Sequence, residues 1–232
     1  MSSTRKRVVI LISGRGSNMG ALIEATGDPS YPANIVGVIS DNADAKGLKA
    51  ASALGIEAKA ITKADYPDKA ALDRALDEEL TRLQADIVCL AGYMRLLTPA
   101  FTEKWAGKLI NIHPSLLPLF KGLDTHNRAI EAGMRVHGCS VHFVTAEMDG
   151  GPIIAQGVVP IAPGDDESKL ARRVLEVEHK LYPLALRLVA EGKARMENGR
   201  AVLTGVGAEG ALISPGSASE AVDIESLARM TP

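Results

Sequence analysis

Asn111 and His113 stand two residues apart in the run Lys108-Leu109-Ile110-Asn111-Ile112-His113-Pro114-Ser115-Leu116-Leu117-Pro118. The run opens as a buried strand, apolar at Leu109, Ile110 and Ile112 and too short for a helix. Positions two apart on a strand share a face, so a carboxamide and an imidazole are placed side by side. Pro114 then ends regular pairing. A carboxamide donor beside an imidazole at a strand end suits chemistry on a carbonyl. The alternative is a core Asn and His, each satisfied by a hydrogen bond, and the residue types alone leave both open. Asp149 precedes Gly150-Gly151-Pro152. It is either a turn aspartate or a carboxylate that orients and charges a histidine, as acyl-transfer sites require.

A second group is Gly14-Arg15-Gly16-Ser17-Asn18, between a predicted strand and a predicted helix. It matches a dinucleotide fingerprint in part: the third glycine position is Met19, Gly20 comes one residue late, and Asp41 ends the second strand. No Gly-Lys-Ser/Thr follows, so it is no P-loop. More simply, Gly16, Ser17 and Asn18 place free N–H groups at a helix N-terminus, where a phosphate fits; a plain turn capped by Ser17 or Asn18 is the other reading. Glu178 and His179 interrupt a long helix and read either as a solvated face or as ligand contacts. The histidines 113, 126, 137, 142 and 179 have no zinc-protease spacing, and two cysteines complete no structural site, so no metal is expected. Ser115 lies in no G-x-S-x-G elbow.

The elements that must position these residues alternate. Strands are predicted at 8–12, 35–40, 56–61, 87–91 and 108–113, and helices at 18–25, 45–54, 67–83 and 99–105. That alternation predicts an α/β fold with a mainly parallel sheet. Beyond Pro114 a loop over 116–124 and a short helix over 128–132 precede strands at 140–144 and 153–159, close enough in sequence to pair antiparallel. A helix over 167–191 follows, apolar at 170, 174, 177, 181, 184 and 188 and kinked at Pro183. Residues 194–196 and 201–203 form a hairpin. From Gly205 onward Gly, Ser, Ala and Pro dominate, predicting a poorly ordered tail.

The 232 residues are 46% hydrophobic and only 3% aromatic, so a core is built mostly from Val, Leu, Ile and Ala. A net charge of −2 without a basic block argues against nucleic acid as the main partner. No apolar run approaches 18 residues, so no membrane span is expected. Arg5, Lys6 and Arg7 precede an apolar run, but Gly-Arg-Gly-Ser-Asn follows where a signal peptide would carry its cleavage region. Cys89 and Cys139 read as reduced thiols in a cytoplasmic protein.

Together the motifs resemble the folate-dependent formyltransferases. Asn111-Ile112-His113-Pro114-Ser115-Leu116-Leu117-Pro118 looks like their signature, and Asp149 looks like their third catalytic residue. Within that superfamily, Gly14-Arg15-Gly16-Ser17-Asn18 and Glu176-Val177-Glu178-His179-Lys180-Leu181-Tyr182-Pro183 are similar to the phosphoribosylglycinamide formyltransferases of purine synthesis, the similarity running over about 7–203. The resemblance implies a Rossmann-like, mostly parallel twisted sheet with flanking helices and antiparallel strands toward the C-terminal part. It implies one domain over 1–207, with a nucleotide-binding half to about 107 and a catalytic, folate-binding half from 108, ahead of the 208–232 tail.

The implied reaction is attack of the glycinamide ribonucleotide amine on the formyl group of 10-formyltetrahydrofolate, the co-substrate. Asn111 would donate to the formyl oxygen, His113 would act as general acid, and Asp149 would hold His113 in its charge state. Gly16, Ser17 and Asn18 would hold the phosphate and Glu178 the ribose. Folate would be met by Lys69, Met94, Arg95, Leu96, Leu97, Asn111, Thr145, Ala146, Glu147, Met148 and Asp149, with Leu96 and Leu97 as apolar walls. Small molecules are the only partners implied, with a monomer or homodimer in the cytoplasm. Asp124, Lys69 and Leu175 depart from the family's commoner residues, with Arg172 or Arg173 as substitutes near the phosphate. A methionyl-tRNA formyltransferase would need a further RNA-binding domain, and a formyltetrahydrofolate hydrolase an N-terminal regulatory one; this chain is expected to carry neither. A nucleotide-binding oxidoreductase or a nucleotide sensor would use the same first loop.

Overall fold

The computed structural model describes residues 5–207 and residue 214. Strands β1 (Lys6–Ile12), β2 (Ala33–Ser40), β3 (Ala58–Ala60), β4 (Ile87–Leu90), β5 (Leu109–His113), β6 (Val136–Phe143) and β7 (Ile153–Pro160) form one sheet in the order β3-β2-β1-β4-β5-β6-β7. β3 to β5 are parallel, and β6 and β7 complete the sheet antiparallel. The helices are α1 (Ser17–Thr26), α2 (Lys46–Ala53), α3 (Lys69–Arg82), α4 (Pro99–Lys104), α5 (Thr125–Glu131) and α6 (Glu167–Ala190); β8 (Ala194–Glu197) and β9 (Arg200–Leu203) pair apart from the main sheet. The expected tail at 208–232 lies outside the described residues apart from Ser214. Among the described residues, no helix is long and apolar enough to cross a membrane.

The continuous apolar run of β1 follows from burial on both sides. Val8, Ile10 and Ile12 pack with residues of α1 and α6, while Val9 and Leu11 pack with Leu72, Leu76 and Leu80 of α3 and Phe101 of α4. The α3–α4 core takes no residue from β6 or β7. Leu109, Asn111 and His113 share this face of β5, and register pairs Asn111 with His142 and His113 with Ser140 on β6. The polar pair therefore emerges where helical cover gives out. β1, β4 and β5 end at one edge of the sheet, with the topological switch between β1 and β4, where ligands of open α/β sheets bind. Ser13 fastens that point: its N–H donates to the Gly92 carbonyl at 3.1 Å, and its hydroxyl oxygen accepts from the Met94 N–H at 2.8 Å.

Two local expectations are corrected. The short helix begins at Thr125, not at 128, because the Thr125 hydroxyl donates to the Pro114 carbonyl at 2.6 Å and anchors the first turn beneath the preceding loop. Helix α6 forms as one helix with Pro183 inside it, as expected, and the Pro183 carbonyl accepts from the Tyr31 hydroxyl. Its buried stripe runs through Leu181, Tyr182, Ala185 and Leu186, and Leu184 is left 50% exposed.

Candidate active site

His113 ends β5 with its ring nearly buried, and each ring nitrogen faces an acceptor. Nε2 lies 3.0 Å from the Phe120 carbonyl oxygen, and Nδ1 lies 3.5 Å from Asp149 Oδ2. The Nε2 contact is a hydrogen bond, and the Nδ1 contact is at ion-pair distance. Asp149 Oδ2 also accepts the Gly122 N–H at 2.9 Å, so loop 114–124 serves both partners. That loop is irregular, with left-handed backbone at Phe120, Gly122 and Asp124. Arg128 braces it, donating to the carbonyls of Lys121 at 2.7 Å and Leu123 at 3.1 Å with its guanidinium over the Phe120 ring. Asp124 is the left-handed N-cap of α5.

Asp149 arrives from the β6–β7 connection, which folds back over the sheet. Its φ of 50° is left-handed, a region aspartate tolerates better than most residues. Gly151 is required two residues on: a Cβ there would meet the Phe143 carbonyl oxygen at 1.7 Å. The Lys121–Glu147 ion pair, at 2.6 Å, ties this connection to loop 114–124.

Asn111 stands beside His113, its Nδ2 3.2 Å from His142 Nε2. Nothing in the sequence singled out His142, one of five histidines without a motif spacing. Asp149 Oδ1 lies 3.8 Å from the same Nε2, too long for a hydrogen bond, and burial lowers the His142 pKa, so no ion pair is assigned there. The cluster thus brings a carboxamide, an imidazole and a carboxylate together at the end of β5.

A second cluster forms at the N-terminus of α1. Its N-cap is Gly16, left-handed at φ 76°, and no side chain caps the first turn. Ser17 and Asn18 do not cap, contrary to one reading. The Asn18 amide instead donates to Glu178 Oε2 at 2.7 Å, both side chains being buried. Glu178 is therefore no part of a solvated face, and burial raises its carboxyl pKa. Asn18 Oδ1 is buried without a partner. The uncapped turn offers N–H groups to an anion, and Asn18–Glu178 fastens it to α6.

The residues expected to meet folate divide. Met94 and Leu96 are 69% and 60% exposed, and Met148 is exposed with its methyl near Gly122. Leu97 instead packs against the α3–α4 core beside Tyr93. The Arg95 guanidinium pairs with Asp73 of α3 at 2.6 Å and donates to the Tyr93 hydroxyl, so this side chain is turned into the protein. Thr145 and Ala146 line a separate cavity of about 220 Å³ with residues of α4 and Met196. Lys69 is exposed at the first turn of α3. Arg173 is held by Asp165 in a two-pronged pair at 2.7 and 3.1 Å, so it does not stand free for a phosphate; Arg172 is exposed. Among the described residues, no group of three His, Cys, Asp or Glu could hold a metal ion.

Residues 6–186 match the profile of a family described as Formyl transferase. The chain is 44% identical over 198 residues to a phosphoribosylglycinamide formyltransferase of Escherichia coli (strain K12), covering 85% of this chain and 93% of that protein. It is 50% identical over 197 residues to the trifunctional purine biosynthetic protein adenosine-3 of Bos taurus, covering 84% of this chain but only 20% of that protein. The chain thus spans 14–20% of the length of the trifunctional relatives it matches. A crystal structure of glycinamide ribonucleotide transformylase 1 from Symbiobacterium toebii superposes with a TM-score of 0.83 at 45% identity, covering 86% of this chain and 94% of that one.

Proposed function

The chain belongs to the formyltransferase family, and from that premise we propose that it transfers the formyl group of 10-formyltetrahydrofolate to the amine of N1-(5-phospho-D-ribosyl)glycinamide in purine biosynthesis. One observation carries the reading: His113 is held between the Asp149 carboxylate and the Phe120 carbonyl, with the Asn111 amide beside it at the open rim of the sheet.

The chemistry follows from that arrangement. As the amine attacks, the formyl oxygen gains negative charge. Asn111 donates one N–H to it, and a charged His113 stabilises it and supplies the proton that the collapsing intermediate needs. Asp149 keeps the ring charged and receives, directly or through water, a proton from the attacking amine. To meet the substrate, His113 Nε2 must give up its contact with the Phe120 carbonyl, which belongs to a loop without regular pairing. The uncapped N-terminus of α1 at Gly16, Ser17 and Asn18 takes the phosphate, and Glu178 takes a ribose hydroxyl while Asn18 orients it. The exposed Met94, Leu96 and Met148 give folate an apolar contact beside the amide groups of the same loops. Holding both substrates at one rim supplies proximity, a large part of any acyl-transfer rate.

The remaining expectations belong to the same proposal: one domain whose first half binds nucleotide and whose second half carries catalysis and folate contacts, small molecules as its partners, and a cytoplasmic location. Cys89 and Cys139 are buried free thiols whose pKa values burial pushes up to about 12, which leaves them little nucleophilic at neutral pH. The test is the release of tetrahydrofolate, followed by absorbance with and without glycinamide ribonucleotide. Turnover that requires the nucleotide supports transfer. Equal turnover without it overturns transfer in favour of hydrolysis.

A further inference from the structure

The reading above gives His142 no task, yet it is the cross-strand partner of Asn111 and almost fully buried. Its Nδ1 lies 2.9 Å from the Phe143 carbonyl oxygen, which can only accept. The proton of the neutral ring therefore sits on Nδ1, and Nε2 carries a bare lone pair. Burial favours the neutral ring. Asn111 Nδ2, 3.2 Å away, is the donor that meets this lone pair.

We propose that His142 is a positioning residue for formyl transfer: its bare Nε2 decides which end of the Asn111 carboxamide faces the ring, leaving the second amide N–H for the formyl oxygen. The proposal rests on the transfer reading for its rate effects. The two ends of a carboxamide have nearly the same shape, so packing hardly distinguishes them, and hydrogen bonding must. In the flipped orientation Asn111 Oδ1 would oppose the Nε2 lone pair, acceptor against acceptor. The orientation with the NH2 toward His142 is then the one populated, and only one of its two hydrogens is consumed there. The tautomer matters in a second way. A proton on Nε2 would turn His142 toward Asp149 Oδ1, now 3.8 Å away, and set it in competition with His113 for the carboxylate. With the proton on Nδ1, Asp149 stays with His113.

The test compares the wild-type protein with His142→Leu, His142→Gln, Asn111→Ala and the double variant Asn111→Ala/His142→Leu. Leucine fills the space without an acceptor, and glutamine restores an acceptor oxygen near the Nε2 position. We expect His142→Leu to lower kcat ~10- to 10²-fold, less than the ~10²- to 10³-fold of losing an oxyanion donor outright because the amide is only misoriented part of the time, with the nucleotide KM within about twofold. Glutamine should recover at least about tenfold of the loss. In the Asn111→Ala background the leucine change should cost less than about threefold, since the two residues act as one unit. A full-sized loss in that background, or wild-type kcat in His142→Leu, overturns the proposal. ¹⁵N NMR of the imidazole in the unliganded protein separates this from the function itself. A neutral ring with its proton on Nδ1, whose Nε2 resonance moves in Asn111→Ala, supports the proposal even if no transfer is found. A ring protonated on Nε2 overturns it whatever the enzyme does.

Discussion

Asp149→Asn keeps the shape of the side chain and removes its charge. Asparagine tolerates the left-handed backbone at this position, and its carbonyl oxygen can still accept the Gly122 N–H, so the loop should stay in place. What changes is the face presented to His113. The carboxylate sets a full negative charge 3.5 Å from Nδ1; the amide oxygen that keeps the Gly122 N–H occupies the same position, so the ring meets a neutral acceptor in place of that charge. The side chains of His113 and Asp149 are 8% and 11% exposed, so the pair is largely shielded from water. At about 4 Å and an effective dielectric of about 20, two unit charges attract by roughly 4 kcal/mol. The amide dipole and relaxation of the ring recover part of that, and about 2.7 kcal/mol remains for the transition state, a ~10²-fold fall in kcat. The assay is tetrahydrofolate release at saturating concentrations of both substrates, with both KM values and a melting curve. The nucleotide KM and Tm should hardly move, because the phosphate end is fastened by Asn18 and Glu178 on other elements. A kcat within about threefold of wild type would refute the reasoning and leave Asp149 a turn residue.

Gly16→Val should raise the nucleotide KM at least ~10-fold and the folate KM little, because a β-branched residue at φ 76° strains the turn that offers its N–H groups to the phosphate; equal rises in both would contradict the assignment. Arg128→Ala should lower kcat by about tenfold with the nucleotide KM unchanged, since hydrogen bonds from a charged donor are worth about 1.5–3 kcal/mol and these two hold the loop that meets His113 and Asp149. An unaltered kcat would show that the loop holds without them. Burial pushes the His137 pKa from 6.5 down to about 4, so between those values the unfolded chain binds a proton that the folded one refuses. Stability should therefore fall across that window, by up to roughly 3 kcal/mol at about 1.36 kcal/mol per unit. His137→Phe keeps a ring against Phe120 and His126 and should flatten the decline in denaturant unfolding between pH 6.5 and 4; an unchanged slope would rule out His137 as its source.

β1 and β4 were legible because each is a short apolar run buried on both faces, and α3 because its leucines return every turn. Leu72, Leu76 and Leu80 are buried as their spacing required. Periodicity failed where another constraint set the phase. In α6 the buried stripe passes through Tyr182, whose hydroxyl reaches the carbonyls of Leu90 and Ile110. That anchor fixes the rotation of the helix and turns Leu184 outward, although hydropathy places it inside.

The same limit explains what the site revealed and withheld. Asn111 and His113 share one strand, so a spacing of two was enough to put them on one face. Asp149 was found by its motif, but its function depends on a left-handed backbone and on Gly151 passing close to the Phe143 carbonyl. His142 left no local sign, because its relation to Asn111 is one of register across an antiparallel pair 31 residues apart in sequence. A shift of one residue in that register would turn His142 to the opposite face of β6 and bring Val141 to the face it now occupies. The orientation of the amide is therefore a property of the register, and the loop after β5 is tied to β6 by Ser140, whose hydroxyl donates to the Ser115 carbonyl at 2.7 Å and accepts from the Leu117 N–H at 3.0 Å. Arg128, which braces that loop, belongs to the same unit. Its loss should act on kcat through two routes at once, the contacts of His113 and Asp149 and the seating of β5 against β6. Arg128→Ala combined with His142→Leu should accordingly cost less than the product of the two single losses. Strict multiplication of the two losses in kcat would show that the loop and the ladder act independently.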